Sequence, residues 1–219
     1  MAELHDATEE YLETILEIEE EGIPPIRARL VERLGISAPA VSETVNRLVE
    51  KGYAELLDDR TLRLTDKGRK LAVSIVRRHR LAERLLTDVI GLDWHKAHLE
   101  AGRWEHVISD EVEERLVKLL ENPTTCPHGN PIPGVGVPRI DLHALSESAP
   151  GDHVRLERVT EQVESDADSL VYLSEHGFVP GVDAEVQSKA PDGTLTLQLH
   201  DGTIALGPAL ADQLYVAAG

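Results

Sequence analysis

The residues whose types and spacing point most directly to chemistry lie between His79 and His106. His79 and Glu83 are four residues apart, so on a helix the two side chains lie on one face. His98 precedes Glu105 and His106 by about two helical turns, which again places side chains on one face. Imidazole and carboxylate groups arranged in this way bind divalent first-row transition metal ions. One His and Glu pair is also typical of a surface salt bridge, but two pairs on successive segments favour a metal site.

Helices must position these side chains. The apolar periodicity and the capping residues predict three consecutive helices, from Thr65 to Gly91, from Asp93 to about Val107, and from Ser109 to Asn122. Helices with apolar faces at this point of a chain are a natural dimer platform.

The segment before these helices carries a helix-turn-helix pattern. A helix over about 26–34 ends at Gly35, and the next begins at Ser37 with Pro39 in its first turn. Alternating stretches over 53–57 and 61–65 predict a hairpin or wing. Such patterns also occur in protein-contact modules, but small and hydrogen-bonding groups on the second helix favour a DNA major groove. The candidate DNA contacts are Arg27, Arg29, Ser37, Pro39, Ala40, Ser42, Glu43, Arg47 and Arg60.

The charge distribution supports a DNA reader confined to that segment. The chain has a net charge of -18, which is unfavourable for binding phosphate. Only in residues 22–73 do Lys and Arg outnumber Asp and Glu, and this is the helix-turn-helix segment. The acidic excess elsewhere is also suited to a salt-rich cytoplasm, where exposed carboxylates keep a surface hydrated.

Composition also predicts the compartment. The chain has one cysteine, Cys126, which excludes an internal disulfide framework and a thiolate zinc cluster. No apolar run approaches membrane-spanning length and no export signal is visible at the start, so we expect a cytoplasmic protein with no membrane partner.

Three further features of the sequence bear on function. Glu10 and Glu13 project together from the first helix, either as ligands or as a solvated face. Cys126 and His128, in a loop rich in Pro and Gly, either ligate a metal together or are structural. From Pro150 onward, short strands predict a small barrel of about seventy residues, and no nucleophile or phosphate loop is visible in it.

Several strings in residues 4 to about 134 resemble the diphtheria toxin repressor family of metal-dependent transcriptional regulators. The matching strings are A-T-E-E-Y-L-E-T-I, R-A-R-L-V-E-R-L-G, S-A-P-A-V-S-E-T-V, H-R-L-A-E-R-L-L-T-D-V-I-G-L, R-W-E-H-V-I-S-D-E-V-E-E-R-L-V-K-L-L and G-N-P-I-P-G. The iron-dependent branch is the most similar, and the C-terminal part is similar to the SH3-like domain of that family.

The resemblance implies a mainly α protein with α+β character, organised as a winged helix-turn-helix, a helical dimerisation domain and an SH3-like (FeoA-like) small β-barrel. We place a DNA-binding domain at 1–73, a metal-binding and dimerisation domain at 74–140, a linker at 141–150 and the barrel at 151–219. The implied function is a homodimeric repressor of iron or manganese uptake genes that binds a double-stranded DNA operator. Fe²⁺ or Mn²⁺ is the co-repressor, with two sites in each subunit.

The resemblance also assigns ligands. One site uses His79, Glu83 and His98, with Glu164 from the C-terminal domain and Asp166 or Asp168 in place of a family glutamine, where this chain has Ala167. The second site uses Glu105, His106 and Glu10, with Glu13 as a further donor and Gly102 offering only its carbonyl. Iron-type members have methionine and cysteine at positions 10 and 102, whereas manganese-type members have carboxylates. The resulting oxygen and nitrogen donors favour Mn²⁺ or Fe²⁺ over ions that prefer sulfur.

Two other functions are compatible with the residues alone. The chain is either a metal-blind architectural DNA-binding protein or, less in keeping with the pattern, a metal-dependent hydrolase. No general base or pocket for a small-molecule substrate is visible in the sequence, and we therefore expect a regulator and not an enzyme.

Overall fold

The computed structural model describes residues 2–136 and 141–219, and its chain divides into two compact units. The N-terminal unit contains residues 1–78 and 105–108, and the C-terminal unit contains residues 79–104 and 109–219. The boundary at residue 78 falls within a helix. The end of the predicted helical domain, at residue 140, lies outside the described residues.

The N-terminal unit is a helix-turn-helix followed by a hairpin. Its elements are α1 (Ala2–Glu20), α2 (Arg27–Leu34), α3 (Ala38–Glu50), β1 (Ala54–Leu56), β2 (Leu62–Leu64) and the first part of α4 (Asp66–Arg84). The two strands pair antiparallel, with Ala54 opposite Leu64, as the alternating pattern predicts. Arg60 lies in the turn between them with a φ of 67°.

Local sequence signals explain the recognition helix. Gly35 ends α2 in the left-handed conformation, with a φ of 64°, and Pro39 lies in the first turn of α3. The buried face of α3 holds Val41, Val45 and Leu48, which pack with the apolar stripe of α1. Val49, directly after Leu48 on the same helix, is 37% exposed.

The C-terminal unit combines short helices with a barrel. Its elements after α4 are a π-helical turn (Leu85–Ile90), a 3-10 turn (Trp94–Lys96), α5 (Ala97–Trp104), α6 (Asp110–Leu119), β3 (His143–Ala144), a 3-10 turn (Leu145–Glu147), β4 (His153–Val159), α7 (Glu161–Glu164), α8 (Ala167–Glu175), β5 (Asp183–Lys189), β6 (Leu195–Leu199), β7 (Gly202–Leu206), α9 (Pro208–Ala211) and β8 (Leu214–Ala218). Ser109 caps α6 by accepting a hydrogen bond from the backbone of Val112, as predicted.

In the described part of the C-terminal unit, six antiparallel strands form one sheet in the order β3-β8-β4-β5-β6-β7. Its core is aliphatic with one aromatic residue, Phe178. The sequence pattern did not predict β3, β8, α7 or α9. Residues 143–147, placed in a linker from the sequence, contribute β3 and the buried side chain of Leu145 to this barrel. None of the described helices is long and apolar enough to cross a bilayer.

Candidate metal centre

The C-terminal unit buries a cluster of side chains that are typical metal ligands. The cluster, called here the buried centre, contains His79, Glu83, His98, Cys126, His128, Glu161 and Glu164. Glu83 and His128 are completely buried, and His98 is the most exposed member, at 19% of its side chain. Since charged and polar groups are rarely buried without partners, this concentration needs a chemical explanation.

Two helices bring together the pair predicted from spacing, His79 and Glu83, and the residue that the family resemblance adds to it, His98. His79 and Glu83 lie on one face of α4, with His79 Nε2 at 3.4 Å from Glu83 Oε1. His98 on α5 directs Nδ1 to within 3.0 Å of His79 Nε2 and 3.4 Å of Glu83 Oε1. Directly after this part of α4 the chain forms a π-helical turn, a conformation that often accompanies functional sites.

The irregular segment 124–132, called here the CPH loop, supplies Cys126 and His128. His128 Nδ1 lies 3.1 Å from Glu83 Oε1 and 3.0 Å from Glu164 Oε2. Cys126 Sγ belongs to the same group of mutually close donor atoms. The Cys-x-His pair is visible in the sequence, but the sequence does not show where the loop lies in the fold. The pair alone therefore does not distinguish metal ligands from structural residues.

Fixed hydrogen bonds hold the CPH loop in place. The guanidinium of Arg84 donates to the carbonyl oxygens of Thr125 (2.7 Å) and Cys126 (3.1 Å). The indole of Trp94 donates to the carbonyl of Pro127, and its own carbonyl lies 3.3 Å from Nε2 of His128. A ring nitrogen held by a carbonyl fixes the orientation of a histidine, so Nδ1 faces the carboxylates.

The barrel contributes two carboxylates from α7. Glu164 accepts a hydrogen bond from Asn130 and lies with Oε2 at 3.3 Å from His98 Nδ1. Glu161 forms a buried ion pair with Arg80, at 2.9 Å, and its other oxygen lies 3.8 Å from His98 Nδ1. Glu161 was not identified from the sequence, although its spacing of three residues from Glu164 places both on one helix face.

The residues proposed to accompany Glu164 lie elsewhere. Asp166 and Asp168 are exposed, and Asp166 accepts a hydrogen bond from the side chain of Ser169. Ala167 begins α8 and is exposed. In this structure the second barrel carboxylate of the buried centre is therefore Glu161.

The electrostatics of the buried centre are those of paired opposite charges. Burial acts against the charged imidazolium, but the close carboxylates of Glu164 and Glu83 outweigh it and raise the pKa of His98 to about 10. The same carboxylates raise the pKa of His128 well above its usual value, against burial. Burial raises the pKa of Glu83, yet the charges of His128 and His79 hold it well below its usual range.

The thiol of Cys126 stays protonated unless a cation replaces its proton. Burial, followed by the negative charges of Glu83 and Glu164, raises the pKa of this thiol to about 12. A bound metal ion reverses this effect, because a coordinated thiol deprotonates.

Unsatisfied polar atoms show that the donors fit a metal ion. Both carboxylate oxygens of Glu83, Nδ1 of His128, and Oε2 of Glu161 and of Glu164 are buried and have no hydrogen-bond partner of acceptable geometry. Buried polar atoms are almost always satisfied, and a coordinated cation satisfies such atoms.

A second, smaller group of donors lies in the N-terminal unit. His106 Nδ1 lies 2.8 Å from Glu9 Oε2 on α1, and His106 Nε2 lies 3.2 Å from Glu105 Oε1. Glu105 is buried, whereas Glu10, predicted as the α1 ligand, is exposed. Glu9, one residue earlier, is therefore the α1 carboxylate that contacts His106.

Two other predicted ligands of this group have defined positions. Glu13 is buried on α1, at 9% exposure. Gly102 lies on α5 in the C-terminal unit, with open space where a side chain would project.

Five of the nine predicted DNA contacts are exposed and the other four are half-buried. Residues 36–40 and 43 are exposed at the start of α3. Arg47 donates to Thr44, and Arg27 donates to Asn46 on α3, so both guanidiniums are held beside the recognition helix. Ser42 and Arg29 are half-buried and Arg60 is exposed at the wing tip.

A winged helix-turn-helix followed by helices and a barrel that share a buried His, Glu and Cys cluster defines a metal-responsive DNA-binding regulator. Three family models match successive parts of the chain. They are the iron dependent repressor N-terminal DNA binding domain (residues 3–62), the iron dependent repressor metal binding and dimerisation domain (65–134) and the FeoA domain (143–218).

Comparison with individual proteins agrees. The chain is 48% identical over 208 residues to the iron-dependent repressor IdeR of Mycobacterium tuberculosis, covering 90% of each chain. It is 45% identical over 212 residues to the diphtheria toxin repressor of Corynebacterium diphtheriae, covering 92% of each. A solved manganese-dependent transcriptional repressor in complex with manganese has a TM-score of 0.84 at 30% identity, covering 97% of this chain and 100% of that one.

The chain belongs to the diphtheria toxin repressor family of iron- and manganese-dependent transcriptional repressors. It is a DNA-binding regulator and not an enzyme, which confirms the prediction from the sequence.

Proposed function

We propose that this chain forms a homodimer that represses iron or manganese uptake genes when Fe²⁺ or Mn²⁺ occupies the buried centre. The observation that carries the proposal is the set of buried, unsatisfied donor atoms on Glu83, His128 and Glu164. These atoms come from α4, the CPH loop and α7, so a cation bound there stabilises one arrangement of these elements. By linkage, a metal that favours the DNA-binding arrangement is itself bound more tightly when DNA is present.

The chain's own residues prepare the site. Arg80 and Asn130 orient Glu161 and Glu164, and the Trp94 carbonyl orients His128. Bound Fe²⁺ or Mn²⁺ supplies positive charge that neutralises these carboxylates. Because outer groups of this kind fix ligand geometry, each contributes to metal affinity without touching the ion.

A second metal position in each subunit lies in the N-terminal unit. Glu9 or Glu10, with Glu105 and His106, supplies oxygen and nitrogen donors, and Glu13 lies on the same helix as a further donor. The contact between Glu9 and His106 joins α1 to residues 105–108. A cation here therefore stabilises the first helix of the DNA-binding unit against that segment.

Two surfaces support the dimer and its operator. The C-terminal unit exposes large apolar side chains at Val89, Ile90, Leu99, Val112 and Leu119. Exposed apolar side chains on consecutive helical segments support an interface there. A dimer formed through it presents two copies of α3, each suited to one major-groove half-site.

Fluorescence anisotropy on DNA from the chain's own promoter tests the proposal. Binding is measured after chelation and again with Mn²⁺ or with anaerobic Fe²⁺. We expect tight binding only with metal, and at least a tenfold loss of apparent metal sensitivity in His98→Ala. His200→Ala is the matched control, because the His200 side chain is 97% exposed and its recorded ion pair is with the equally exposed Asp201. Equal binding with and without metal would overturn the proposal in favour of a metal-blind DNA-binding protein.

A further inference from the structure

The buried centre holds more donor atoms than one ion can use. One group consists of His79, Glu83 and His98, and another consists of Glu83, Cys126, His128 and Glu164. Within each group the donor atoms lie within 4.8 Å of one another. Among the described residues, no such group contains both a member of the pair His79 and His98 and a member of the pair Cys126 and His128.

The rings of His98 and His128 show the separation of the two groups. Their centroids are 6.5 Å apart and their planes are perpendicular, whereas the rings of His79 and His98 are only 4.7 Å apart. Since metal-to-ligand distances are about 2.0–2.3 Å, two donors of one ion lie at most about 4.6 Å apart. Among the described residues, the donor atoms of His98 and His128 do not belong to one group within 4.8 Å, so the two histidine groups face different positions.

Glu83 lies between the two positions. Its Oε1 is 3.4 Å from His79 Nε2 and from His98 Nδ1, and 3.1 Å from His128 Nδ1. Both of its oxygens are buried without a satisfying hydrogen bond. A carboxylate that binds one ion through a single oxygen commonly has its second oxygen hydrogen-bonded to protein, whereas both oxygens of Glu83 are available to metal ions.

Glu164 is the second group shared between the positions. Its Oε2 lies 3.3 Å from His98 Nδ1 and 3.0 Å from His128 Nδ1. Its Oε1 accepts from Asn130, so one oxygen is fixed and the other faces both histidines.

We propose that the buried centre binds two divalent transition metal ions, one through His79 and His98 and the other through Cys126 and His128, with Glu83 bridging them. This inference rests on the proposed function and extends it. Ions that share a carboxylate bridge lie about 3.5–4 Å apart in two-metal sites. The first position is a nitrogen and oxygen set suited to Fe²⁺ or Mn²⁺, and the second contains a thiolate and suits softer ions as well.

Cobalt substitution tests the inference on the full chain. A background variant, Glu9→Gln and Glu10→Gln with Glu105→Ala and His106→Ala, removes four of the donors of the N-terminal unit and leaves Glu13 alone there, so metal counting reports the buried centre. Co²⁺ is titrated, bound metal is counted by mass spectrometry of the native protein, and near-ultraviolet absorption reports a bond between cobalt and the Cys126 thiolate. We expect two ions per chain in this background.

Variants of each position separate the two ions. Cys126→Ser should remove the thiolate absorption and the second ion, whereas His98→Gln should remove one ion and keep the thiolate absorption. Glu83→Gln should reduce the count to at most one. A count of one in the background variant, with His98→Gln abolishing the thiolate absorption, would mean a single ion and would overturn the inference. In that case metal-dependent DNA binding still stands, whereas binding of no ion would refute the proposed function itself.

Folding of each variant is checked by circular dichroism and thermal unfolding in chelator. Mn²⁺ electron paramagnetic resonance gives an independent readout, since two ions sharing a bridge show exchange coupling and a single ion does not. An uncoupled spectrum from a chain with two bound ions would also overturn the bridging role of Glu83.

Discussion

The substitution Gly129→Ala tests whether docking of the CPH loop on the barrel builds the buried centre. Gly129 has a φ of +89°, and a Cβ added there would lie 1.9 Å from the carbonyl oxygen of Glu157 on β4. The nearest backbone carbon, Arg158 Cα, would lie at 2.8 Å. The loop must therefore move away from β4, and His128, whose carbonyl accepts a hydrogen bond from the backbone of Val159, moves with it.

The magnitude follows from two contributions. A left-handed backbone costs a non-glycine residue about 1–2 kcal/mol, and overpacking costs about 1–3 kcal/mol. We expect Gly129→Ala to lower the free energy of unfolding by about 2–5 kcal/mol. Gly177→Ala is the matched control, because Gly177 has a φ of +67° with open space around the added carbon. It should lose only the backbone contribution, about 1–2 kcal/mol.

The assay combines urea unfolding of the metal-free chain with cobalt titration. The steric part of the loss, about 1–3 kcal/mol, corresponds to roughly a 5- to 150-fold weaker affinity for the ion bound by Cys126 and His128. Gly177→Ala should keep the affinity of the unsubstituted chain. Equal stability and equal cobalt affinity in the two variants would refute the claim that this close approach positions the loop.

Three further predictions concern the pH dependence of metal binding, operator binding and the stability of the N-terminal unit. The pKa of His98 is raised to about 10 in the metal-free chain, so a metal ion must displace the proton on this side chain. Metal affinity should therefore rise about tenfold per displaced proton for each unit of pH between 6 and 8. A competition titration that gives the same affinity across that range would contradict this. Arg47→Ala should weaken operator binding by about 1–3 kcal/mol in anisotropy, with the exposed Arg115→Ala on α6 unchanged. In Gly68→Ala, the added Cβ would lie 1.9 Å from the carbonyl oxygen of Tyr53. Urea unfolding should show the N-terminal unit destabilised by about 1–3 kcal/mol, with cobalt binding at the buried centre unchanged. Loss of cobalt binding together with the loss of stability would contradict this.

The same His98 affects the stability of the metal-free chain with a defined sign. Its folded pKa is raised above the ordinary value of 6.5, so its contribution to stability is fully present below pH 6.5 and is lost as pH rises through about 10. Thermal unfolding in chelator across that range measures the effect.

Much of the fold follows from local sequence signals. Gly35, Pro39 and the alternation around Asp58-Asp59-Arg60 are local and strong, and the helix-turn-helix and hairpin form where they indicate. The strand β4 at 153–159 lies in the part of the chain, from Pro150 onward, where short strands are predicted. The strand β3 has two residues and the helix α7 has four, so neither is long enough to show periodicity.

In the buried centre too, the positions of some residues follow from the local sequence and those of others do not. His79 and Glu83 lie on one regular helix, so their approach follows from spacing. Spacing groups His98 with Glu105 and His106 instead, and only the family resemblance implied its place beside Glu83. The positions of Cys126 and His128 depend on hydrogen bonds from Arg84 and Trp94, which lie more than thirty residues earlier in the chain. Contacts of that sequence separation leave no periodic signal, and only the folded chain shows them.

The CPH loop has a consequence for how this protein changes over evolutionary time. Under the two-ion proposal, two of the metal donors lie in a segment without helix or strand, and its backbone is held by main-chain carbonyls that any residue type provides. Exchange of the side chains at positions 126 and 128 therefore alters the preference for hard or soft ions while the dimer platform and the DNA reader keep their structure. At these two positions, a change of ion preference is inherited separately from the choice of DNA sequence.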